Sequence, residues 1–238
     1  MFNKFCFYFM LFIIYSFIGW SIEVVGKLIE KHKFINRGFL VGPICPIYGW
    51  GCIAIILLLS KYKSSPIVLF LMAIIICSIL EYFTSYFMEK LFHVRWWDYT
   101  RRKYNINGRI CAETMIPFGL LGCLVVYIVN PIFMGLLNKI PVNILNILVI
   151  IIFTLYIIDN VVSLSVMFGF KGTLKTAEND GTEEITKKVR EVLLQRNFLY
   201  KRLVNAFPNI TSKKERLELL ESKISAEIEK LKDKMEKK

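Results

Sequence analysis

Two carboxylates stand in stretches otherwise built to avoid water. Glu81 interrupts FLMAIIICSILEYFTSYFMEK (residues 70–90), and Asp159 interrupts IIIFTLYIIDNVVSLSVMFGF (150–170). Glu23, Glu89 and Glu113 lie nearer the ends of similar runs. A carboxylate held in an apolar setting is suited to acid–base work, so Glu81 or Asp159 could act as a general base. Arg37 and Arg109 carry the fork of donors that grips phosphate by paired hydrogen bonds. Other chemistry is poorly supplied. His32 and His93 are the two histidines, and neither sits among acidic residues in a metal-ligand pattern. The six cysteines (Cys6, Cys45, Cys52, Cys77, Cys111, Cys123) fall within or beside apolar runs with no CxxC pair, and read as small apolar fillers. Neither a metal site nor a cofactor is expected.

The elements that must position these groups are membrane helices. The 238 residues are 55% hydrophobic and 14% aromatic, and the mean hydropathy is +0.50, well beyond a soluble domain. A span needs about 20 mostly apolar residues to cross about 30 Å of hydrocarbon. Five segments meet that requirement, at about 5–29, 39–59, 66–89, 111–137 and 144–170, giving an all-α polytopic membrane domain over 1–170. Lys4 ahead of the first run imitates a signal peptide, but the run is long and no small-x-small cleavage site follows, so it is expected to be retained. Basic residues set the orientation. Lys27, Lys31, Lys33 and Arg37 follow the first span, and Lys90, Arg95, Arg101, Arg102, Lys103 and Arg109 follow the third. The alternate side has only Lys4, Lys61, Lys63 and Lys139, so the N-terminus is expected outside and the C-terminus in the cytoplasm. The net charge of +12 accords with anionic membrane lipids as partners; no aromatic-plus-basic module for nucleic acid is present.

On a helix, residues three or four apart share a face. Cys77, Glu81, Ser85 and Glu89 form one line, Ser16, Gly19, Glu23 and Lys27 another with Trp20 beside it, and Tyr156, Asp159 or Asn160, and Ser163 a third. Each central charge costs roughly 2.5–3.5 kcal/mol to insert, so these stripes should face the bundle interior. Glu81 lies about 13 Å below Lys90 and Asp159 about 16 Å below Phe170 at helical rise. Glu23 and Glu89 could instead pair at the interface with Lys27, Lys90 or Arg95, and all the carboxylates could be hydrogen-bonded braces. Two loops add polar chemistry. In NRGFLVGPICPIYGWG (36–51), Pro43 and Pro46 break any helix while Gly38, Gly42, Gly49 and Gly51 permit close backbone approach. Irregular backbone at membrane depth must be buried by protein or line water, so this segment should face inward. In EKLFHVRWWDYTRRKYNINGRICAE (89–113), Trp96, Trp97 and Tyr99 suit the headgroup level and place part of the loop on the membrane surface. The expected cytoplasm-facing polar cavity gathers Glu23, Asn36, Arg37, Glu81, Ser85, Glu89, Asp98, Asn105, Arg109, Glu113 and Asp159.

YSFIGWSIEV (15–24), NRGFLVGPICPIYGWG (36–51), EY (81–82), WWDY (96–99) and NINGRIC (105–111) together resemble the CmpB-like family, labelled ABC-transporter permeases of type IV, over roughly residues 5–170. The resemblance implies a bacterial cytoplasmic-membrane protein that takes part in transport. The chain has no GxxxxGK[ST] phosphate loop, GFKGTLKT (169–176) having the wrong spacing, so ATP hydrolysis would need a separate subunit. Two readings of another class stay open: a membrane-embedded enzyme acting on a lipid headgroup, and a non-catalytic scaffold. No alcohol-phosphotransferase or lipid-phosphatase signature accompanies the acids. Residues 171–238 are rich in Lys and Glu and form a cytoplasmic α-helical tail. Apolar positions at Ile185, Val189, Val192, Leu193, Leu199, Leu203 and Phe207 predict one helix ended by Pro208. A capping box from Ser212 to Glu215 opens a second, with a coiled-coil seam from Leu217 to Met235. The tail is expected to close as a hairpin or to pair with another subunit, in a homo-oligomer or with a partner protein.

Overall fold

A computed structural model describes residues 1–92 and 94–179 and, beyond them, Leu199, Arg202, Ala206, Thr211 and Ser212. The described chain is helical: α1 (Phe2–Lys31), α2 (Pro46–Leu59), α3 (Pro66–Phe92), α4 (Ala112–Leu124), α5 (Asn130–Leu137) and α6 (Val142–Asn179). Four helical stretches are long and apolar enough to cross a membrane: Phe2–Lys31, Pro66–Phe92, Ala112–Leu137 and Val142–Gly169. The third of these joins α4 to α5 through a π-helical turn, Val125–Val129. Pro131 follows directly and has no N–H to give the preceding turn, which widens as a result.

The expected second span takes a different form. Its first seven residues are not helical, and α2 begins only at Pro46, in the first-turn position where a missing N–H costs nothing. With the single 3₁₀ turn Ser60–Tyr62 the apolar helix remains shorter than the other four. The two prolines account for the late start, because each removes a donor that an earlier helix would need. At the far end, α6 runs to Asn179, past the expected boundary at 170.

The core is assembled from one face of each helix. Phe9, Leu11, Phe12 and Tyr15 of α1 pack with Ile53 and Ile56 of α2, Val125, Leu137, and Leu145 and Val149 of α6. The α1–α2 crossing is close because Gly49 lies directly against Ser16 and Phe12, where a Cβ would not fit. Leu59, Leu69, Ala73 and Val126 form a second cluster that joins α2 and α3 to the α4–α5 rod. The outward faces carry exposed Ile, Leu, Val and Phe along α3, α4 and α6, as a lipid-facing surface requires.

Two short antiparallel pairs cap one end. β2 (Asn105–Ile106) pairs with β3 (Ile110–Cys111), and β1 (Val94–Arg95) pairs with β4 (Thr211–Ser212) from the tail. The aromatic loop folds inward rather than spreading as a surface belt. Trp96 is buried with its ring edge-on to Phe39 at 6.0 Å, and Trp97 donates from Nε1 to the Arg109 carbonyl at 3.1 Å. The two predicted tail helices, the capping box and the coiled-coil seam lie outside the described residues, apart from helical Leu199, Arg202 and Ala206 and the paired backbone of Ser212. His93 also lies outside them.

Candidate functional site

The stretch between α1 and α2 has no helix to satisfy its peptide groups, and side chains from distant parts of the chain do so instead. Asn36 takes the Trp20 Nε1–H at 2.7 Å and the Gly38 N–H at 3.2 Å on its oxygen, and its Nδ2 donates to the Val41 carbonyl at 2.9 Å. Asp159 of α6 accepts the Val41 N–H at 2.8 Å on one oxygen and the Gly42 N–H at 2.9 Å on the other. Ser163, one turn along α6, donates to Asp159 at 3.1 Å and receives the Val41 N–H as well. Gly42 is obligatory here: a Cβ would come within 2.8 Å of Asp159 Oδ2. From the tail, Arg202 donates to the carbonyls of Leu40 (2.6 Å), Gly38 (2.9 Å) and Phe39 (3.1 Å). The Cys45 N–H bonds to the Ser16 carbonyl at 3.0 Å and the Ile44 N–H to the Gly42 carbonyl at 2.8 Å. Asp159 stands 17 residues into α6, so this irregular backbone lies about 26 Å along that helix. Irregular backbone at such a position requires this full set of partners.

The second loop is organised around Glu89. Its Oε2 receives Arg95 Nε and Nη2 at 3.1 and 3.0 Å and Arg109 Nη2 at 2.8 Å. Arg95, 6% exposed, also donates to the Asn107 carbonyl at 3.0 Å and reaches Asp98 at 3.5 Å. Arg109 touches Ser85 Oγ at 3.3 Å and lies over the Tyr82 and Tyr86 rings at 5.7 and 5.4 Å. Asp98 caps the turn by accepting from the Thr100 N–H at 2.9 Å and the Thr100 hydroxyl. Asn105 bridges the Arg102 carbonyl and the Gly108 N–H, at 2.7 and 2.9 Å. Gly108 has φ +64°, and a side chain there would strike Thr100, Asp98 and Arg95. Glu113 pairs with Arg102 at 2.8 Å on the exposed surface, away from the others.

Between the two loops lie the remaining acids. Glu23 accepts the Tyr48 hydroxyl at 2.6 Å and sits 3.5 Å from Arg37 Nε, while Arg37 Nη1 holds the Ala206 carbonyl at 2.6 Å. Glu81 is 6% exposed. One oxygen accepts the Tyr99 hydroxyl at 3.2 Å; the other is buried without a hydrogen-bond partner among the described residues. The charges of Glu23 and Glu81 both act on Tyr99. Burial, then the Glu81 carboxylate, pushes the Tyr99 phenol above its ordinary range, which keeps it a donor.

The structure therefore divides the expected residues. Ten of the eleven meet in three connected groups: Asn36 with Asp159, Arg37 with Glu23, and Ser85, Glu89, Asp98, Asn105 and Arg109, with Glu81 buried between them. Glu113 stands apart. Each polar stripe has buried members: Glu81 and Ser85 on α3, Ser16 and Gly19 on α1, and Ser163 on α6. The interface pairing of Glu89 is with Arg95, and that of Glu23 is with Arg37 instead of Lys27, which turns to Glu30. Tyr48, Tyr99 and Arg202 are essential contacts that residue spacing did not single out. Tyr48 and Tyr99 sit within the two motif-bearing loops, whereas Arg202 carries no sequence signal beyond its charge.

No curated protein and no solved structure matches the chain. A family model does: the one described as "Putative ABC-transporter type IV" matches residues 10–164, which takes in both loops, all three polar stripes and all eleven expected site residues. On the strength of that match, across well over half its length, the chain belongs to the ABC-transporter type IV family typified by CmpB.

Proposed function

We propose that the chain is a membrane-embedded transport component whose cytoplasmic end presents a polar chamber, closed in the arrangement described above, to a substrate arriving from the cytoplasm or inner leaflet. The observation that carries this reading is Glu81, nearly fully buried, with one oxygen lacking any donor. A carboxylate kept at that cost inside a bundle, when Asp159 and Glu89 nearby have every advantage of partners, is retained for use. The family supports a transport role and, with it, a separate ATPase subunit docking on the cytoplasmic loops.

The finer topology is part of the same reading. Helix α2 reaches about 21 Å at helical rise, so the five-span arrangement needs the irregular 39–45 stretch to complete the second crossing. The excess of basic residues in the two loops places them in the cytoplasm together with the tail, with the N-terminus outside. The tail from 171 onward is then a cytoplasmic module, free to pair with a second copy or a partner, in a bacterial cytoplasmic membrane. The lipid-headgroup enzyme is less well supported, since Arg37 and Arg109, its phosphate anchors, are engaged by Glu23 and Glu89. The scaffold reading draws on the contacts of Arg202 and Ala206 with the first loop, though they give no reason for a buried orphan acid.

The test is a gentle detergent purification with a search for ATPase activity in the same complex, combined with Glu81→Gln in cells. An associated ATPase whose coupled activity falls roughly tenfold or more in the variant supports the proposal. A normally inserted Glu81→Gln protein with every cellular phenotype intact rejects the chamber.

A further inference from the structure

Two buried polar atoms on the same face of α3 have no hydrogen-bond partner among the described residues: Glu81 Oε2 and, three residues earlier, Ser78 Oγ. The groups facing Glu81 are few. Cys77 precedes it on α3; Tyr99 from the loop donates to Oε1; Glu23 from α1 adds a like charge, itself bonded to Tyr48 of α2 and to Arg37. From α4, Glu113 turns outward to Arg102; from α6, Asp159 is bonded to Val41 and Gly42. The cation on the neighbouring loop, Arg109, is held by Glu89. No cation among the described residues forms an ion pair with Glu81 itself.

An ionised carboxylate is expensive in such surroundings, and a second carboxylate nearby raises the cost. A ligand that relieves it must fit an oxygen already closed off from solvent. A divalent metal would need several converging ligands, and no group of three or more His, Cys, Asp or Glu among the described residues could hold one. An organic ammonium would need space that the buried oxygen does not have. A proton needs none.

We propose that Glu81 is a proton-binding site: its carboxyl is held as the neutral acid in the arrangement described here. Oε1 is then the carbonyl oxygen that accepts from Tyr99, and Oε2 carries the hydrogen. The proton site stands on its own geometry; its coupling to substrate movement rests on the transport reading.

Infrared spectroscopy of the purified protein in lipid tests this. The wild type at neutral pH should give a carboxylic-acid C=O band that shifts in D₂O, is lost in Glu81→Gln and persists in Glu23→Gln. Tyr99→Phe should raise its frequency, because the carbonyl loses its donor. Absence of any band assignable to Glu81 in the folded wild type overturns the proposal. Running the cellular assay on Glu81→Gln separates the two readings. A lost band with normal activity keeps the proton site and removes the transport chamber, whereas no band in the wild type with lost activity does the reverse.

Discussion

Asp159 and Glu81 are both carboxylates in apolar helices, and their surroundings are opposite. Asp159 receives two backbone N–H groups and a serine hydroxyl, so both its oxygens are engaged in holding a non-helical loop. Glu81 receives a single phenol and keeps one oxygen bare. A buried acid that closes a loop is selected for its bonds, and its chemistry is used up in making them. One left half-satisfied has a stability cost that architecture does not repay. Glu89 belongs with Asp159: two arginines converge on one of its oxygens and join the loop to α3.

Substitutions can break or sharpen that contrast. The largest effect is expected from Arg95→Ala, which removes a 6%-exposed guanidinium tying Glu89, Asp98 and the Asn107 carbonyl together. Loss of one partner from a buried pair costs about 3–5 kcal/mol, readable as a lower unfolding midpoint in detergent. Asp159→Ala should follow at about 2–3 kcal/mol, since the Gly42 N–H loses its acceptor and the Val41 N–H is left with Ser163 alone. It should also make residues 38–45 accessible to proteolysis, whereas Asp159→Asn, which keeps one acceptor oxygen, should do so less. Gly42→Ala drives a Cβ toward Asp159 Oδ2 and should cost about 1–3 kcal/mol by overpacking. Against these, Glu81→Gln should shift stability by less than about 1 kcal/mol, because the amide oxygen still accepts from Tyr99 and the amide is as uncharged as the neutral acid it replaces. Activity, not folding, should suffer. A Glu81→Gln protein as unstable as Asp159→Ala would erase the distinction. Smallest of all is Arg102→Ala, whose pair with Glu113 has side chains 61% and 57% exposed and should change the midpoint within about 0.5 kcal/mol.

Much of the site was legible because insertion costs are local. The depth of Glu81 and Asp159, and the faces shared with Ser85 and Ser163, follow from helical repeat alone, and those pairs are indeed adjacent in the fold. The non-helical stretch ahead of α2 followed from Pro43 and Pro46. What spacing could not reveal was which groups meet across elements. The 96–99 aromatics suited a headgroup belt by composition, yet Trp96 is buried against Phe39 and Tyr99 turns in to Glu81, contacts with residues distant in sequence that composition does not encode. Glu113 looked like its acidic neighbours, but at the first turn of α4 it points to Arg102 and solvent.

Residue order alone determined that this chain belongs in a membrane, where its apolar helices run, and that several acids would have to turn inward, since each of these depends on transfer costs paid within one segment. Only the tertiary structure decided which acid became a brace and which was left with an empty oxygen. The number of donors reaching a carboxylate depends on backbone and side chains more than a hundred residues away, such as Val41 and Gly42 against Asp159, and no local pattern encodes that meeting.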